Sequence, residues 1–293
     1  MDTELLKLIT TKRPTISKTS LKTYESILRN LYKKVFPKDE KMDLDKFDND
    51  NGFFIEHLMN VPANKRKTIL SALVVITDNK NYRDLMMDDI KEYNKEQAKQ
   101  EKPNDDKWIE KDDLKKLYKT LTHNAKLLYK KEELTPTDFQ DIQNYIIMSL
   151  LGGVYIPPRR SKDYVCVKIK NVDKEKDNYI DKNEFVFNNY KTAKTYGQQR
   201  LEIPKELRTI INKWIKINPT DYLLFDIGLN PLSNVKLNQR LNKLFGKKVG
   251  INELRKHYLS SKYANLIDVK KDLAKDFKDM GSSLIQENIY IKK

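Results

Sequence analysis

Residues 152–163, Gly152-Gly153-Val154-Tyr155-Ile156-Pro157-Pro158-Arg159-Arg160-Ser161-Lys162-Asp163, mark where the patterning of the chain changes. Before them apolar residues recur at helical spacing, predicting helices over about 111–131 and 136–151. After them the period shortens. Val165, Val167 and Ile169 alternate, Phe185-Val186-Phe187 forms a short apolar run, and Leu201 and Ile203 alternate before Pro204. Tyr196-Gly197-Gln198 is a turn signal between the last two, predicting a hairpin over roughly 184–203. Within the stretch itself, the Gly-Gly break ends an apolar helix and the prolines open a short new one with an arginine at its start. Asp163 stands one helical turn after Arg160 and is expected to hold its guanidinium. An ordinary surface Arg–Asp pair would have the same spacing.

Upstream, everything reads as helix. Residues 1–18 look like a basic, poorly ordered lead-in. Ser20 is a candidate N-cap for a helix with Leu21, Tyr24, Ile27, Leu28, Leu31 and Tyr32 on one face. An acidic loop over Asp43–Asp50 offers few core residues, and helices are expected over 53–59, 64–77 and 82–98. Residues 99–107, Lys-Gln-Glu-Lys-Pro-Asn-Asp-Asp-Lys, form the best linker. Apolar residues return at Trp108, and further helices are expected over 205–217, 234–246, 251–265, 268–279 and 283–291. The predicted architecture is mainly α with a small antiparallel β-sheet. A helical domain spans 1–98, a linker 99–107 and an α+β domain 108–293.

A chain of 293 residues accommodates two such domains. The 57 lysines and arginines against 42 acids leave a net charge of +15, which favours a polyanionic partner, nucleic acid first. Lysine greatly outnumbers arginine, so part of this charge is compositional. An arginine in such a chain marks a place where a fixed, always-charged, bidentate donor is needed. A single cysteine, Cys166, cannot form an internal disulfide, and the three histidines are too scattered to propose a metal site. No apolar run is long enough to span a bilayer, and the N-terminus lacks the apolar core of a secretory signal. An intracellular location is expected.

Three further spots carry chemistry. Lys191-Thr192-Ala193-Lys194 lies on the hairpin, where a lysine can reach a phosphodiester; a solvated basic turn is the plainer reading. Asn252-Glu253-Leu254-Arg255-Lys256-His257-Tyr258 follows Gly250. Asn252 can cap a helix in which Leu254, Tyr258 and Leu259 face the core and Arg255 points elsewhere. Met280-Gly281-Ser282-Ser283 is a helix stop and restart, with Tyr290, one of 16 tyrosines, shortly after it.

Taken singly these are unremarkable; their order resembles that of the tyrosine recombinase (phage integrase) family. That family's catalytic set is an arginine, a strand lysine, a His-x-x-Arg motif, a His or Trp, and a tyrosine nucleophile. Arg160 matches the first arginine, since the family places an acid three residues later and Asp163 stands there; Arg159 is the fallback. Lys191 or Lys194 matches the lysine. Arg255 matches the second arginine, because Asn252-Glu253-Leu254-Arg255 resembles His-x-Leu-Arg. Met280-Gly281-Ser282-Ser283 resembles Leu-Gly-His-Ser, and Tyr290 falls at the family's spacing. Pro157-Pro158-Arg159-Arg160 and Tyr190-Lys191-Thr192-x-Lys194-x-Tyr196-Gly197 are similar in style to recombinases of large eukaryotic DNA viruses and their virophages. The resemblance covers the whole chain, with 1–98 as core-binding domain and 108–293 as catalytic domain. Two positions depart from it: Asn252 and Ser282 stand where the family has histidine. Both can donate a hydrogen bond to phosphate, but neither shuttles a proton near neutral pH. His257 lies two residues beyond Arg255 and points off its face.

The resemblance implies a DNA strand transferase needing neither metal nor ATP. It works on double-stranded DNA through a 3′-phosphotyrosine and assembles as a homo-oligomer, a tetramer in the synapse. The same fold could instead serve as a topoisomerase IB-like nicking-closing enzyme or a catalytically decayed DNA-binding protein.

Overall fold

The computed structural model of the chain describes residues 3–99 and 107–279. The chain divides into two compact units, residues 1–102 and 103–293.

The first unit is helical: α1 (Thr3–Lys12), α2 (Lys18–Val35), α3 (Lys46–Asn49), α4 (Asn51–Met59), α5 (Ala63–Thr77) and α6 (Lys80–Lys99). Its centre is aromatic. Phe47 of α3 stacks on Phe54 of α4 at 5.0 Å, and Tyr32 of α2 meets Phe47 edge-on at 5.5 Å. A bidentate bridge, Arg66 Nε to Asp89 Oδ2 at 2.8 Å and Nη2 to Oδ1 at 2.6 Å, ties α5 to α6. Three expectations are corrected here. The lead-in is a helix, because Leu5 and Ile9 sit one turn apart and are fully buried. The cap of α2 is Ser17, whose hydroxyl accepts from the backbone N–H of Ser20. The acidic stretch read as a loop is partly helix, α3, and its buried residue is Phe47 at 0% exposure.

The second unit comprises α7 (Lys111–Leu128), α8 (Pro136–Leu151), α9 (Ser161–Val165), β1 (Val167–Lys168), β2 (Asn178–Asp181), β3 (Glu184–Phe187), α10 (Ala193–Tyr196), β4 (Gln199–Glu202), α11 (Lys205–Ile217), α12 (Asn234–Phe245) and α13 (Ile251–Asp279). Helix α8 is the axis. A Thr135/Asp138 capping box with Pro136 in the first turn starts it, and Ile142, Ile146, Ile147, Leu150 and Leu151 are all buried. Gln143 lends its side-chain oxygen to the Phe225 N–H at 2.8 Å, and Trp214 of α11 stacks on Phe225 at 5.7 Å.

The four strands lie in sequence order, β1-β2-β3-β4. The β2–β3 and β3–β4 pairs are antiparallel as expected, whereas β1 pairs with β2 in parallel. Val165 belongs to α9 and not to a strand, so β1 is only two residues long. Strand β2 lacks a sequence signal: Asn178-Tyr179-Ile180-Asp181 is bounded by polar residues and turns at Lys182, which takes a positive φ of 53°. Beyond α12, a single helix covers both predicted segments 251–265 and 268–279, interrupted by non-helical backbone at Tyr263. Among the described residues no helix is long and apolar enough to cross a membrane.

The burial of α1 sets a test. Ile9→Ala should cost about 2–5 kcal/mol of stability in urea denaturation, as buried Ile truncations do. A poorly ordered lead-in would show no change.

Candidate active site

The arm Pro157–Arg160 leads into α9, and its geometry settles which arginine Asp163 holds. Arg160 occupies the N-cap position of α9 with extended backbone, φ −66° and ψ 151°, and its side chain makes no cap hydrogen bond. Arg159, four residues before Asp163, is the one that turns back. Its Nε donates to Asp163 Oδ2 at 2.9 Å, and its Nη2 donates to Gln199 Oε1 on β4, also at 2.9 Å. The expected Arg160–Asp163 pair is therefore replaced by Arg159–Asp163. The guanidinium also lies over the ring of Phe187 at 4.1 Å and of Tyr190 at 5.4 Å. One side chain thus joins the arm, α9, the end of β3 and the start of β4.

Asp163 is 3% exposed, and its second oxygen, Oδ1, is buried without a donor. Burial pushes its pKa up from the ordinary carboxylate value. The charge and hydrogen bond of Arg159 oppose that rise, as do the charges of Arg160 and Arg255. Three cations from two distant segments therefore act on one buried carboxylate. Among the described residues only Arg159 of the three is ion-paired. Arg160 and Arg255 are both half-buried and, among the described residues, make no side-chain hydrogen bond or ion pair.

Helix α13 brings Arg255 here by close packing at Gly153. That residue has φ +71°, and a Cβ added to it would lie 2.6 Å from the ring of Tyr258. Only glycine lets the break after α8 accept both the backbone turn and the tyrosine. Asn252 does not cap the helix. Gly250 precedes the first turn, and its N–H is taken by Glu253 Oε2 at 3.0 Å, while Asn252 is exposed within that turn. Leu254 faces the core as expected, but Leu259 is 53% exposed and the buried position is His257. His257 lies 5.8 Å from Trp108, and burial pushes its pKa down. It is a core histidine.

Lys191 and Lys194 sit between β3 and β4, Lys191 before and Lys194 within the short helix α10. Both are exposed, with no hydrogen bond or ion pair from their side chains among the described residues. The loop carrying them is anchored at its base. The Tyr190 hydroxyl donates to the Gly197 carbonyl at 2.7 Å. Buried Asn178 donates to the carbonyls of Asp163 and Asn189 and accepts from the N–H groups of Asn188 and Asn189. Asn178, Gln199 and Gly153 were not identified from sequence. A lone Asn or Gln in a polar stretch has no periodic signal, and Gly153 was read only as a helix break. Ser282 and Tyr290 lie outside the described residues. Among those described, no group of three or more His, Cys, Asp or Glu could hold a metal.

Two predictions follow from this geometry. Gly153→Ala should destabilise the protein by about 1–3 kcal/mol, the usual cost of a side chain in left-handed backbone, measured by chemical denaturation. Arg159→Met leaves a buried carboxylate alone and should cost about 3–5 kcal/mol at neutral pH. Removing the cation raises the folded-state pKa of Asp163 further above its unfolded value. The folded state then binds the extra proton, so stability falls as pH rises above the unfolded aspartate pKa. The deficit should accordingly shrink toward pH ~4, where the unfolded aspartate titrates, and Asp163→Asn in the same background should restore part of it at neutral pH. A deficit independent of pH would remove Asp163 from the account.

No family model matches the sequence, and no curated protein matches it. Several solved structures are similar in fold at low identity. Lambda integrase residues 75–356 bound to DNA is 12% identical with a TM-score of 0.46, covering 88% of this chain and 86% of its own. The XerH site-specific recombinase bound to difH, a pre-cleavage complex, is 14% identical with a TM-score of 0.43, covering 84% of this chain and 70% of its own. XerA recombinase is 13% identical with a TM-score of 0.35, covering 89% and 85%. These likenesses assign no role to any residue of this chain.

Proposed function

We propose that the chain is a tyrosine recombinase that cuts and rejoins double-stranded DNA through a covalent 3′-phosphotyrosine at Tyr290. The observation that carries this reading is that Arg160, at the N-cap of α9, and Arg255, on α13, both act on the buried Asp163 carboxylate while making no hydrogen bond or ion pair among the described residues. A phosphodiester resists attack because negative charge gathers on its non-bridging oxygens. Two fixed guanidiniums supply the neutralisation that such a transition state requires. In this reading the Tyr290 hydroxyl gives up its proton to solvent as its oxygen attacks phosphorus, the P–O5′ bond breaks, and a lysine of the 190–196 loop, Lys191 or Lys194, gives its proton to the departing 5′ oxygen. The phosphotyrosine keeps the energy of the broken ester, so a 5′ hydroxyl can reverse the step without ATP. Asn252 and Ser282 would contribute hydrogen bonds to phosphate in place of histidines. Residues 1–98 would act as the core-binding unit and 108–293 as the catalytic unit, with a tetramer assembling on DNA inside the cell. The net charge of +15 suits a phosphate-dominated interface whose affinity falls steeply with salt.

The absence of histidine at positions 252 and 282 favours one second reading, a DNA-binding protein that has lost its chemistry. Covalent trapping separates the two. The protein is incubated in EDTA with DNA from its own genetic element, quenched in SDS, and compared with Tyr290→Phe. A DNA-linked band in wild type alone is expected. Arg160→Ala and Arg255→Ala should each slow its appearance about 100-fold or more, the usual loss of one transition-state donor. Salt-sensitive binding with no band from either protein would favour the decayed binder.

A further inference from the structure

Helix α13 is 29 residues long, yet among the described residues the rest of the unit grips only its first two turns. Ile251, Leu254 and His257 are its buried residues, and Tyr258 packs at Gly153. From Leu259 through Leu266 every residue is exposed, and beyond that none is buried among the described residues. Non-helical backbone at Tyr263 divides the gripped part from the rest. Most of a helix's stability in a protein comes from such packing, so the first two turns carry the attachment of the whole element. Arg255 lies in those turns. It makes no side-chain hydrogen bond or ion pair among the described residues. Its place is therefore set by the seating of the helix that carries it.

Part of that seating comes from residues 108–110, a strap that leads into α7. The Trp108 ring lies 5.8 Å from the His257 imidazole, tilted by 58°. Residues two apart on a helix are separated by about 200°, so His257 and Arg255 leave α13 on opposite sides. The strap thus bears on the side of the helix away from Arg255. It is itself held at two points. Ile109 is 1% exposed within the core of the unit. The Lys247 ammonium, from the loop between α12 and α13, donates to the Trp108 carbonyl. A hydrogen bond from a charged donor is of the stronger kind, and this one is partly shielded from water. We propose that Trp108 and Lys247 are positioning residues: through His257 they seat the first two turns of α13, and thereby fix Arg255 for its work on phosphate. The second half of that statement rests on the recombinase reading; the seating of α13 does not.

Amide hydrogen exchange and covalent trapping on the full chain test the two halves. Lys247→Met should speed exchange of residues 251–258 at least about tenfold, as loss of a charge-assisted hydrogen bond permits. Residues 142–151 of α8 should exchange as in wild type. With protein saturating over DNA, the same variant should slow the covalent band at least about tenfold, as misplacement of a catalytic group does, with DNA affinity unchanged. Lys247→Arg keeps a charged donor and should restore both. Trp108→Ala should act like Lys247→Met, and Trp108→Phe, which keeps an aromatic face, should recover most of the loss; should Trp108→Ala fail to fold, the two Lys247 variants make the same comparison. Unchanged exchange at 251–258 would overturn the proposal, as would equal acceleration in α8, which marks general destabilisation. Faster exchange beside an unchanged trapping rate would overturn the link to Arg255. If wild type itself forms no band, the recombinase reading fails, and exchange alone decides whether the strap seats α13.

Discussion

The second unit depends on how a buried carboxylate is satisfied. Asp163 lies in the first turn of α9 and is 3% exposed. A carboxylate in such a place either takes a proton or recruits cations. Arg159 is the cation it holds directly. Because a guanidinium is a planar fork with several donors, the same group reaches Gln199 and stacks on Phe187. A lysine there could make the ion pair but not the rest. The pair therefore does more than offset one charge: it fixes Arg159, and with it the arm of residues 157–160, against the sheet.

The rest of the local architecture serves the same end by other forces. Tyr164 packs edge-on against the stacked rings of Phe185 and Phe187, which seats α9 on β3. Asn178 closes the same junction with hydrogen bonds to Asp163, Asn188 and Asn189. A half-satisfied amide would cost more than an apolar residue, so an asparagine is stable at 0% exposure only because both ends of its side chain are used. On the opposite side, glycine at 153 lets Tyr258 approach the turn after α8, which draws in the first turns of α13 and Arg255. Rings, an amide network and a missing Cβ thus set the surroundings of Asp163, on whose carboxylate the charges of Arg159, Arg160 and Arg255 all act.

Much of this was legible in the sequence. Hydrophobic periodicity located nearly every long helix, and the Gly-Gly and Pro-Pro punctuation marked where helix gives way to sheet. The arginines were conspicuous because the chain uses so few. The failures have physical causes. Spacing alone could not decide between Arg159 and Arg160, since three and four residues are both one helical turn; the hydrogen-bonded ion pair of Arg159 with Asp163 decides it. Strand β2 was missed because its apolar residues are only Tyr179 and Ile180 and its turn, Lys182-Asn183, is not a glycine turn. Leu259 and His257 exchanged places relative to expectation. Trp108 offers an aromatic face for the imidazole, while nothing among the described residues covers Leu259. The N-terminal helix was missed because a basic, threonine-rich decapeptide hides only two fully buried residues, Leu5 and Ile9.

Arg159 and Arg240 make an instructive pair. Arg159 is held by its own chain: Nε goes to Asp163, Nη2 goes to Gln199, and the guanidinium lies over Phe187 and Tyr190. Arg240 of α12 donates among the described residues only to the Phe225 carbonyl, and its neighbour Asp226 is engaged by Lys236. Sequence cannot tell these two states apart, since each is an arginine near apolar residues in an arginine-poor chain. What separates them is the partner each finds in the fold. A guanidinium clamped on two sides holds the scaffold. Arg160 and Arg255 are half-buried and, among the described residues, make no hydrogen bond or ion pair, which leaves their donors open to an external anion.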